Sequence, residues 1–229
     1  MPSDPAPDPG PDPVAAQPAT GTRLDYRRAA LSETDVDQDP ITQFNRWLAE
    51  AATVLEEPNA MTLATVGTDG RPAARMVLLR AAALKGFDFY TNLQSRKAAD
   101  LAAAPWAALV FHWPPLQRQV RVEGPVTPVP EEEADGYFAL RPRESQLGAW
   151  VSPQSQVIPD RTWLETRLAE ATRRFQGAPI PRPPHWGGYR LRPQAIEFWQ
   201  GRPGRVHDRL RYRQAPESAG GWLMERLAP

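Results

Sequence analysis

Between residues 60 and 128 the sequence is divided into short apolar segments of strand length, separated by turn-forming residues. The segments are AMTLATV, PAARMVLLR, GFDFYTN, WAALVFHW and RQVRVEGPV. Apolar residues that recur with a period of two predict β-strands, and the Asp-Gly pair between the first two segments predicts a hairpin. Strands this short and this closely spaced predict a mostly antiparallel sheet that closes into a barrel.

Sequences with helical periodicity flank this strand region. In DPITQFNRWLAEAATVL, Asp39 can cap the first turn and Pro40 fits that turn. One apolar face is formed by Ile41, Phe44, Trp47, Leu48 and Leu55. Further helices are predicted in SRKAADLAAAP, PEEEADGYFALR and RTWLETRLAEATRRF, and further strands in GGYRLRP, AIEFWQG, RVHDRLRYR and GWLMERLAP. The segment RPRESQLGAWVSPQSQ, residues 141–156, is predicted to be a loop. These elements predict an α+β fold, a barrel of about six to eight strands with helices packed around it.

The first 20 residues, MPSDPAPDPGPDPVAAQPAT, differ in composition from the rest of the chain. They are rich in proline, aspartate and alanine and contain almost no large apolar side chain. Such a segment cannot bury enough surface to offset the entropy of ordering it. We therefore predict a disordered tail over residues 1–20 and a single domain over residues 21–229.

The composition argues against several classes of protein. The chain has no cysteine, which excludes disulfides and thiolate metal sites, and its three histidines lack the spacing of metal ligands. The formal net charge is zero, which argues against binding to nucleic acid through bulk electrostatics. No apolar run approaches the roughly 18 residues of a membrane span, and the N-terminus does not resemble a signal peptide. We expect a cytoplasmic protein.

Two clusters of cations lie at the ends of predicted strands. In ARMVLLR, alternation places Arg75 and Arg80 on opposite faces, either as ordinary charged strand ends or as groups that address two anions. In YTNLQSRKAADL, Ser95, Arg96 and Lys97 fall in the first turn of a helix, where the dipole disfavours cations. A bound phosphate would remove that conflict, whereas an ordinary solvated basic turn would leave it in place.

A third cluster lies in YFALRPRESQ. Tyr137 and Arg141 are four residues apart and are predicted to share a helical face, and Ser145 follows just after the turn. The tyrosine hydroxyl, the guanidinium and the serine hydroxyl could converge on one phosphate. In the alternative interpretation, the arginine only satisfies the last carbonyls of a helix.

A fourth cluster follows the turn in FWQGRPGRVHDRL. Arg205, His207 and Arg209 alternate and are predicted to lie on one face of a strand, where an anion or solvent must offset their charges. Trp199 offers a large flat ring, and Gln119 an amide that can both donate to and accept from a heterocycle. Together the four clusters predict two phosphorylated aromatic small molecules held side by side.

Several longer motifs occur in order between Arg23 and Pro229: RMVLLR, FYTNLQSRKA, RQVRVEG, YFALRPRESQLGAWVSPQS, WGGYRL, IEFWQG, RVHDRLRY and the terminal RLAP. With this set the chain resembles the pyridoxamine/pyridoxine 5′-phosphate oxidase family. The resemblance implies a homodimeric split β-barrel that binds FMN at the subunit interface. It also implies oxidation of pyridoxine 5′-phosphate or pyridoxamine 5′-phosphate to pyridoxal 5′-phosphate, with dioxygen as acceptor and hydrogen peroxide as product. A deazaflavin-dependent split-barrel reductase and a non-catalytic pyridoxal 5′-phosphate carrier are the alternatives, since a fold alone does not fix a function.

The same resemblance implies which side chains form the site. Those expected to bind FMN are Arg75, Arg80, Tyr90, Thr91, Arg96, Lys97, Gln119, Gln154, Ser155, Trp199 and Arg209. Those expected to bind the substrate are Arg23, Tyr26, Arg80, Tyr137, Arg141, Ser145, Arg205 and His207. Of these, Arg205 and His207 are expected to be catalytic, while Arg23 and Tyr26 are expected to belong to a lid. Position 80 departs from the family pattern, in which lysine is usual, and a planar guanidinium is not equivalent to a point charge.

Overall fold

The computed structural model describes Tyr26 and residues 29–229, so the predicted tail and Arg23 lie outside the described residues. The helices are α1 (Pro40–Ala52), α2 (Arg96–Ala103), α3 (Glu131–Leu140), α4 (Arg143–Val151) and α5 (Arg161–Arg174). The strands are β1 (Ala60–Val66), β2 (Pro72–Leu78), β3 (Ala81–Ala83), β4 (Gly86–Asn92), β5 (Trp106–Trp113), β6 (Arg118–Pro128), β7 (Trp186–Leu191), β8 (Ala195–Gln200), β9 (Asp208–Gln214) and β10 (Trp222–Arg226). Within this part of the chain, no helix combines the length and the hydropathy needed to cross a bilayer.

The long strand β6 joins the two halves of the sheet. Its residues 118–123 pair with β8 on one side and with β5 on the other, whereas residues 126–128 pair with β7. Gly124 lies at the change of partner, where a Cβ would overlap the carbonyl oxygen of Arg192. A glycine is therefore needed for β6 to bend at this position.

The strands close into a barrel, and all their pairings are antiparallel. The cyclic order is β2–β1–β5–β6–β7–β4, and β3, which follows β2 directly, pairs with β4. At the closure the backbone N–H of Arg80 donates to the Asp88 carbonyl at 2.8 Å. Strands β8, β9 and β10 extend the sheet outward from β6. The predicted α+β fold, a mostly antiparallel split barrel with helices around it, is confirmed.

Helix α1 covers one end of the barrel with aromatic side chains. The Asp39 carboxylate caps the helix as predicted, accepting from the backbone N–H of Thr42 at 3.0 Å. Phe44 is fully buried, and its ring centroid lies 4.9 Å from those of Phe87 and Phe111. Because these rings come from α1, β4 and β5, one side chain ties the helix to two walls of the barrel.

Helices α3, α4 and α5 form a second hydrophobic cluster against β7. Residues 141–156 were predicted to be a loop, and this prediction is wrong, because α4 occupies Arg143–Val151. Gln146, Leu147 and Val151 are its buried residues and recur at helical spacing. The helix is short and polar on its outer face, so its apolar stripe is too brief to stand out in the sequence.

The predicted strand RVHDRLRYR is also partly wrong. Residues Pro203–Arg205 form a 3₁₀ turn, and β9 begins only at Asp208. Arg205 has a φ of 66°, in the left-handed region, which interrupts an extended strand. Arg205 and His207 therefore do not alternate on a strand face with Arg209, which does lie in β9.

The aromatic contact of Phe44 generates a stability prediction. We expect Phe44→Ala to lower the free energy of unfolding by about 3–5 kcal/mol, since it leaves a cavity among buried rings. Leu84→Ala is the matched control: Leu84 is 90% exposed, and its loss should change stability by at most about 0.5 kcal/mol. Urea denaturation measures the free energy of unfolding of both variants. A cost below about 1 kcal/mol for Phe44→Ala would contradict this packing.

Candidate active site

A cavity of about 430 Å³ opens between β2, β4, α2 and α4. Its lining residues are Met76, Val77, Leu78, Arg80, Tyr90, Thr91, Asn92, Lys97, Tyr137, Arg141, Ser145, Gly148, Ala149, Ser152, Gln154 and Trp186. Arg80, Lys97 and Arg141 bring positive charge to this wall, and no described aspartate or glutamate lines it. Such a donor set is suited to anions.

Lys97 is a buried cation that contacts only uncharged groups in the described part of the chain. Its ammonium donates to Gln154 Oε1 at 2.7 Å, to Thr91 Oγ1 at 3.1 Å and to Ser95 Oγ at 3.2 Å. Burial, together with the nearby positive charge of Arg75, lowers the pKa of Lys97 to about 8. An anion at this position would offset both effects.

The N-terminus of α2 adds backbone donors beside this lysine. Ser95 is the N-cap, but its hydroxyl makes no capping bond to the helix. The N–H of Arg96 instead donates to Ser155 Oγ at 3.2 Å, and Ser155 has a left-handed φ of 73°. The Arg96 side chain is exposed at the entrance of this turn. Arg96 and Lys97 thus lie in the first turn of α2, the position that the sequence predicted for them.

Arg141 forms the opposite arm of the cavity. Its Nη1 is buried and has no hydrogen-bond partner among the described residues. Burial lowers the pKa of the Arg141 guanidinium, and the charge of Arg80 acts in the same direction. The predicted helical face shared with Tyr137 is wrong, because α3 ends at Leu140 and Arg141 is extended. Tyr137, Arg141 and Ser145 nevertheless line the same cavity.

Stacked rings form the floor under the two guanidiniums. Tyr90 stacks on Tyr137 at 4.3 Å between ring centroids and on Trp186 at 5.3 Å. Arg80 lies over the Tyr137 ring at 5.5 Å, and Arg141 over the Trp186 ring at 4.8 Å. The rings hold both cations by cation–π contact, which leaves their N–H groups available for a ligand.

Arg75 is not among the residues that line the cavity, but its guanidinium lies near Lys97. Its guanidinium donates to Thr65 Oγ1 at 2.6 Å and to the Leu63 carbonyl at 3.2 Å, and it pairs with Asp100 at 3.4 Å. Its charge still reaches Lys97, whose pKa it helps to lower. Arg75 is therefore part of the same electrostatic environment.

A second cluster of predicted residues lies across β6, β8 and β9. Gln119 is opposite Trp199, and Trp199 is opposite Arg209. The Arg209 guanidinium is held by both carboxylate oxygens of Glu197, at 2.9 and 3.1 Å. None of these residues lines the cavity. Strands β1, β5 and β6 lie between β2 and β8 in the sheet. Measured across the strands, β2 and β8 are therefore about 19 Å apart.

The rings of Tyr26 and His207 pack beside this second cluster. Tyr26 lies 5.8 Å from the Trp199 ring centroid and packs on Gly201, where a Cβ would overlap its ring. His207 Nδ1 accepts from the backbone N–H of Arg202 at 3.1 Å. Burial and the nearby Arg205 lower the pKa of the His207 imidazole. Its Nε2 is therefore the nitrogen that carries the proton in the neutral ring.

Some residues of the site were missed by sequence reasoning. Trp186 stands in the quoted motif WGGYRL, but nothing in the sequence indicated that its ring lies under Arg141. Asp100 and Glu197 hold Arg75 and Arg209 from other elements of the chain. A carboxylate at such a distance in sequence gives no local signal.

Comparisons with known proteins agree with this architecture. Residues 48–175 match the family described as pyridoxamine 5′-phosphate oxidase, and residues 186–229 match the pyridoxine 5′-phosphate oxidase C-terminal dimerisation region. The pyridoxine/pyridoxamine 5′-phosphate oxidase of Acaryochloris marina is 57% identical over 208 residues, 90% of this chain and 94% of the relative. That of Burkholderia vietnamiensis is 56% identical over 208 residues, 90% of this chain and 97% of the relative.

Two solved structures share the fold. PhzG from Burkholderia lata 383, in complex with tetrahydrophenazine-1-carboxylic acid, has a TM-score of 0.79 at 34% identity, covering 86% of this chain and 95% of PhzG. A pyridoxamine 5′-phosphate oxidase-related, FMN-binding protein from Nostoc punctiforme has a TM-score of 0.68 at 20% identity, covering 85% of this chain and 100% of that chain. Taken with the sequence matches, these findings show that the chain belongs to the pyridoxamine/pyridoxine 5′-phosphate oxidase family and has its split-barrel fold.

Proposed function

We propose that this protein is an FMN-dependent oxidase that converts pyridoxine 5′-phosphate or pyridoxamine 5′-phosphate to pyridoxal 5′-phosphate. The substrate loses two electrons and two protons, one proton from the carbon and one from its hydroxyl or amino group, and dioxygen takes them up as hydrogen peroxide. The amine substrate also consumes one water and releases ammonia. The observation that carries the proposal is a cavity with two separate cationic arms and no described carboxylate in its wall.

The Lys97 arm fits the phosphate of FMN. The lysine ammonium, the exposed Arg96 and the N-terminus of α2 offer charge and backbone donors at one point. Gln154, Thr91 and Ser95 already accept from the ammonium, at 2.7, 3.1 and 3.2 Å, so a phosphate would take the place of one of these neutral acceptors. A phosphate dianion here would restore the full charge of Lys97.

The Arg141 arm fits the phosphate of the substrate. A buried guanidinium nitrogen without a partner is costly, and a phosphate oxygen would satisfy it. Arg80, Tyr137 and Ser145 complete a set of two cations and two hydroxyls. The guanidinium of Arg80 stacks on Tyr137, so its planar set of N–H donors has a fixed orientation in the Arg141 arm.

The site is proposed to be completed by a second copy of the chain. Met76 and Trp106, 64% and 49% exposed, leave large apolar surface on the face of the sheet that also carries Trp199. Residues 186–229, which include β8–β10, match a dimerisation region. A partner on this face would bring its Gln119, Trp199 and Arg209 to the cavity of the first subunit.

When bound, FMN supplies the electron acceptor for the substrate. The chain's own groups supply binding and orientation. The Arg141 arm fixes the remote phosphate, which restricts the position of the reacting carbon. His207 lies 4.6 Å from the Trp199 ring centroid, and the charge of Arg205 acts on its imidazole. We assign to these two side chains the role of holding the pyridine ring and its alcohol or amine. The strained φ of Arg205, 66°, is consistent with a functional constraint at this turn.

PhzG provides the contrasting possibility, since its structure contains a tetrahydrophenazine carboxylic acid. A carboxylate carries one negative charge, whereas the Arg141 arm offers two guanidiniums and two hydroxyls in one wall. This donor number favours a phosphate dianion.

The proposed activity is tested by peroxide release. Purified protein should be yellow, contain FMN and release peroxide with pyridoxine 5′-phosphate or pyridoxamine 5′-phosphate, but much less with unphosphorylated pyridoxine. A deazaflavin reductase would bind no FMN, and a carrier would bind pyridoxal 5′-phosphate without forming peroxide. Either result, or turnover of a tetrahydrophenazine carboxylic acid alone, would overturn the proposal.

The Arg141 arm gives a second prediction. Arg141→Gln should raise KM for the phosphorylated substrate about tenfold to hundredfold, the value of one or more charged hydrogen bonds, with FMN content unchanged. Arg143→Gln is the matched control, because Arg143 donates to the Phe175 and Ala178 carbonyls outside the cavity and should leave KM unchanged. Steady-state kinetics measure KM in both variants. Equal KM in the two variants would contradict the assignment.

The lowered pKa of Lys97 makes FMN binding dependent on pH. In the ligand-free protein the pKa of Lys97 is about 8, so the ammonium is charged below that pH. FMN affinity should therefore be constant only down to about pH 6, where the phosphate takes up its second proton. Above about pH 8 the affinity should fall by up to about tenfold per unit, because binding requires the lysine proton. Fluorescence titrations of flavin-free protein measure this. Riboflavin should show no such fall, and Lys97→Arg, which stays charged, should flatten the FMN profile. A flat wild-type profile would contradict the role of Lys97.

A further inference from the structure

Thr65 is a buried hydroxyl on an otherwise apolar strand face. The inward residues of β1 are Met61, Leu63 and Thr65, with exposures of 0%, 0% and 2%. A hydroxyl in such a place is unfavourable unless it is hydrogen-bonded. Thr65 Oγ1 accepts from Arg75 Nη1 at 2.6 Å and donates to Asp100 Oδ2 at 2.7 Å. It therefore links β2 to α2 through β1.

These bonds use one edge of the Arg75 guanidinium. Both hydrogens of Nη1 are engaged, by Thr65 and by the Leu63 carbonyl at 3.2 Å, and Nη2 donates to Asp100 at 3.4 Å. A guanidinium has five N–H groups, so Nε–H and one Nη2–H remain. Neither has a partner among the described residues. Nε and Nη2 form one edge of the guanidinium, and such an edge can bind two oxygens of one phosphate.

The edge formed by Nε–H and the remaining Nη2–H is called the free edge. It belongs to a guanidinium whose positive charge acts on Lys97. Asp100 lies three residues after Lys97 on α2, so the two side chains are neighbours on the helix surface. The bond from Arg75 to Asp100 thus fixes the guanidinium to the helix that carries the lysine.

We infer that Thr65 is a positioning residue: with Asp100 it holds Arg75 so that the free edge of the guanidinium binds the same phosphate as Lys97. The inference rests on the proposed binding of FMN. Thr65 is uncharged, so changing it alters the orientation of Arg75 without changing the charge of the site. Asp100 lacks this property, because its removal would also raise the positive potential.

The test compares FMN with riboflavin, which has the same ring and no phosphate. Flavin-free full-length protein is titrated with each by fluorescence quenching. Thr65→Val removes the hydroxyl at nearly constant volume and should weaken FMN binding about fivefold to tenfold, with riboflavin binding unchanged. Thr65→Ser is the matched control and should retain wild-type affinity for both. If the valine variant does not fold, Thr65→Cys replaces it, since a thiol is a weak hydrogen-bonding group of similar size.

The outcomes separate this inference from the proposed function. Wild-type protein that fails to prefer FMN over riboflavin would overturn the proposed phosphate site, and this inference with it. A wild-type preference that survives in Thr65→Val would overturn only the role of Thr65. Equal loss of FMN and riboflavin would show a merely structural role and would also overturn it.

Discussion

The site depends on holding three cations in one cavity without a described carboxylate to neutralise them. Lys97 is surrounded by neutral oxygens, and Arg141 has a buried nitrogen without a partner among the described residues. Both pKa values are lowered by burial, so the ligand-free protein bears an electrostatic cost that two phosphate groups would relieve. The cations would therefore already be in position in the ligand-free protein, and relief of their electrostatic cost would contribute to the binding of charged ligands.

The scaffold is stabilised both by packing outside the cavity and by residues that line it. Aromatic packing of Phe44 with Phe87 and Phe111 anchors α1, and closure at Arg80 and Asp88 fixes the end of β2. The ring of Tyr90 then serves two purposes. It belongs to a buried strand, and it stacks on both rings that lie under the guanidiniums. Fold and site therefore share the same side chains.

The sequence predicted the α1 cap, the position of Ser95 and Lys97 at the start of a helix, and every strand except the three-residue β3, because these are local patterns. The prediction was wrong where tertiary contacts determine the local structure. Helix α4, predicted to be a loop, is stabilised by the packing of Leu147 and Val151. The turn at Arg205 interrupts an expected strand. The role of Trp186 could not be predicted, because its partners lie in distant segments. The motif resemblance predicted the family and the split barrel; the assignment of individual residues to FMN or substrate stays a prediction.

We propose one active site built from two subunits, in which the cavity of one chain faces the Trp199 cluster of the other. Subunit complementation tests it most directly. Lys97→Met and Trp199→Ala each alter a different half of the proposed site, and each homodimer should be nearly inactive. Co-expressed chains should form mixed dimers with one intact site, so peroxide release should return to about a quarter of the wild-type value if the chains mix at random. No recovery in a verified mixed dimer would show that both halves act within one chain and would contradict the account.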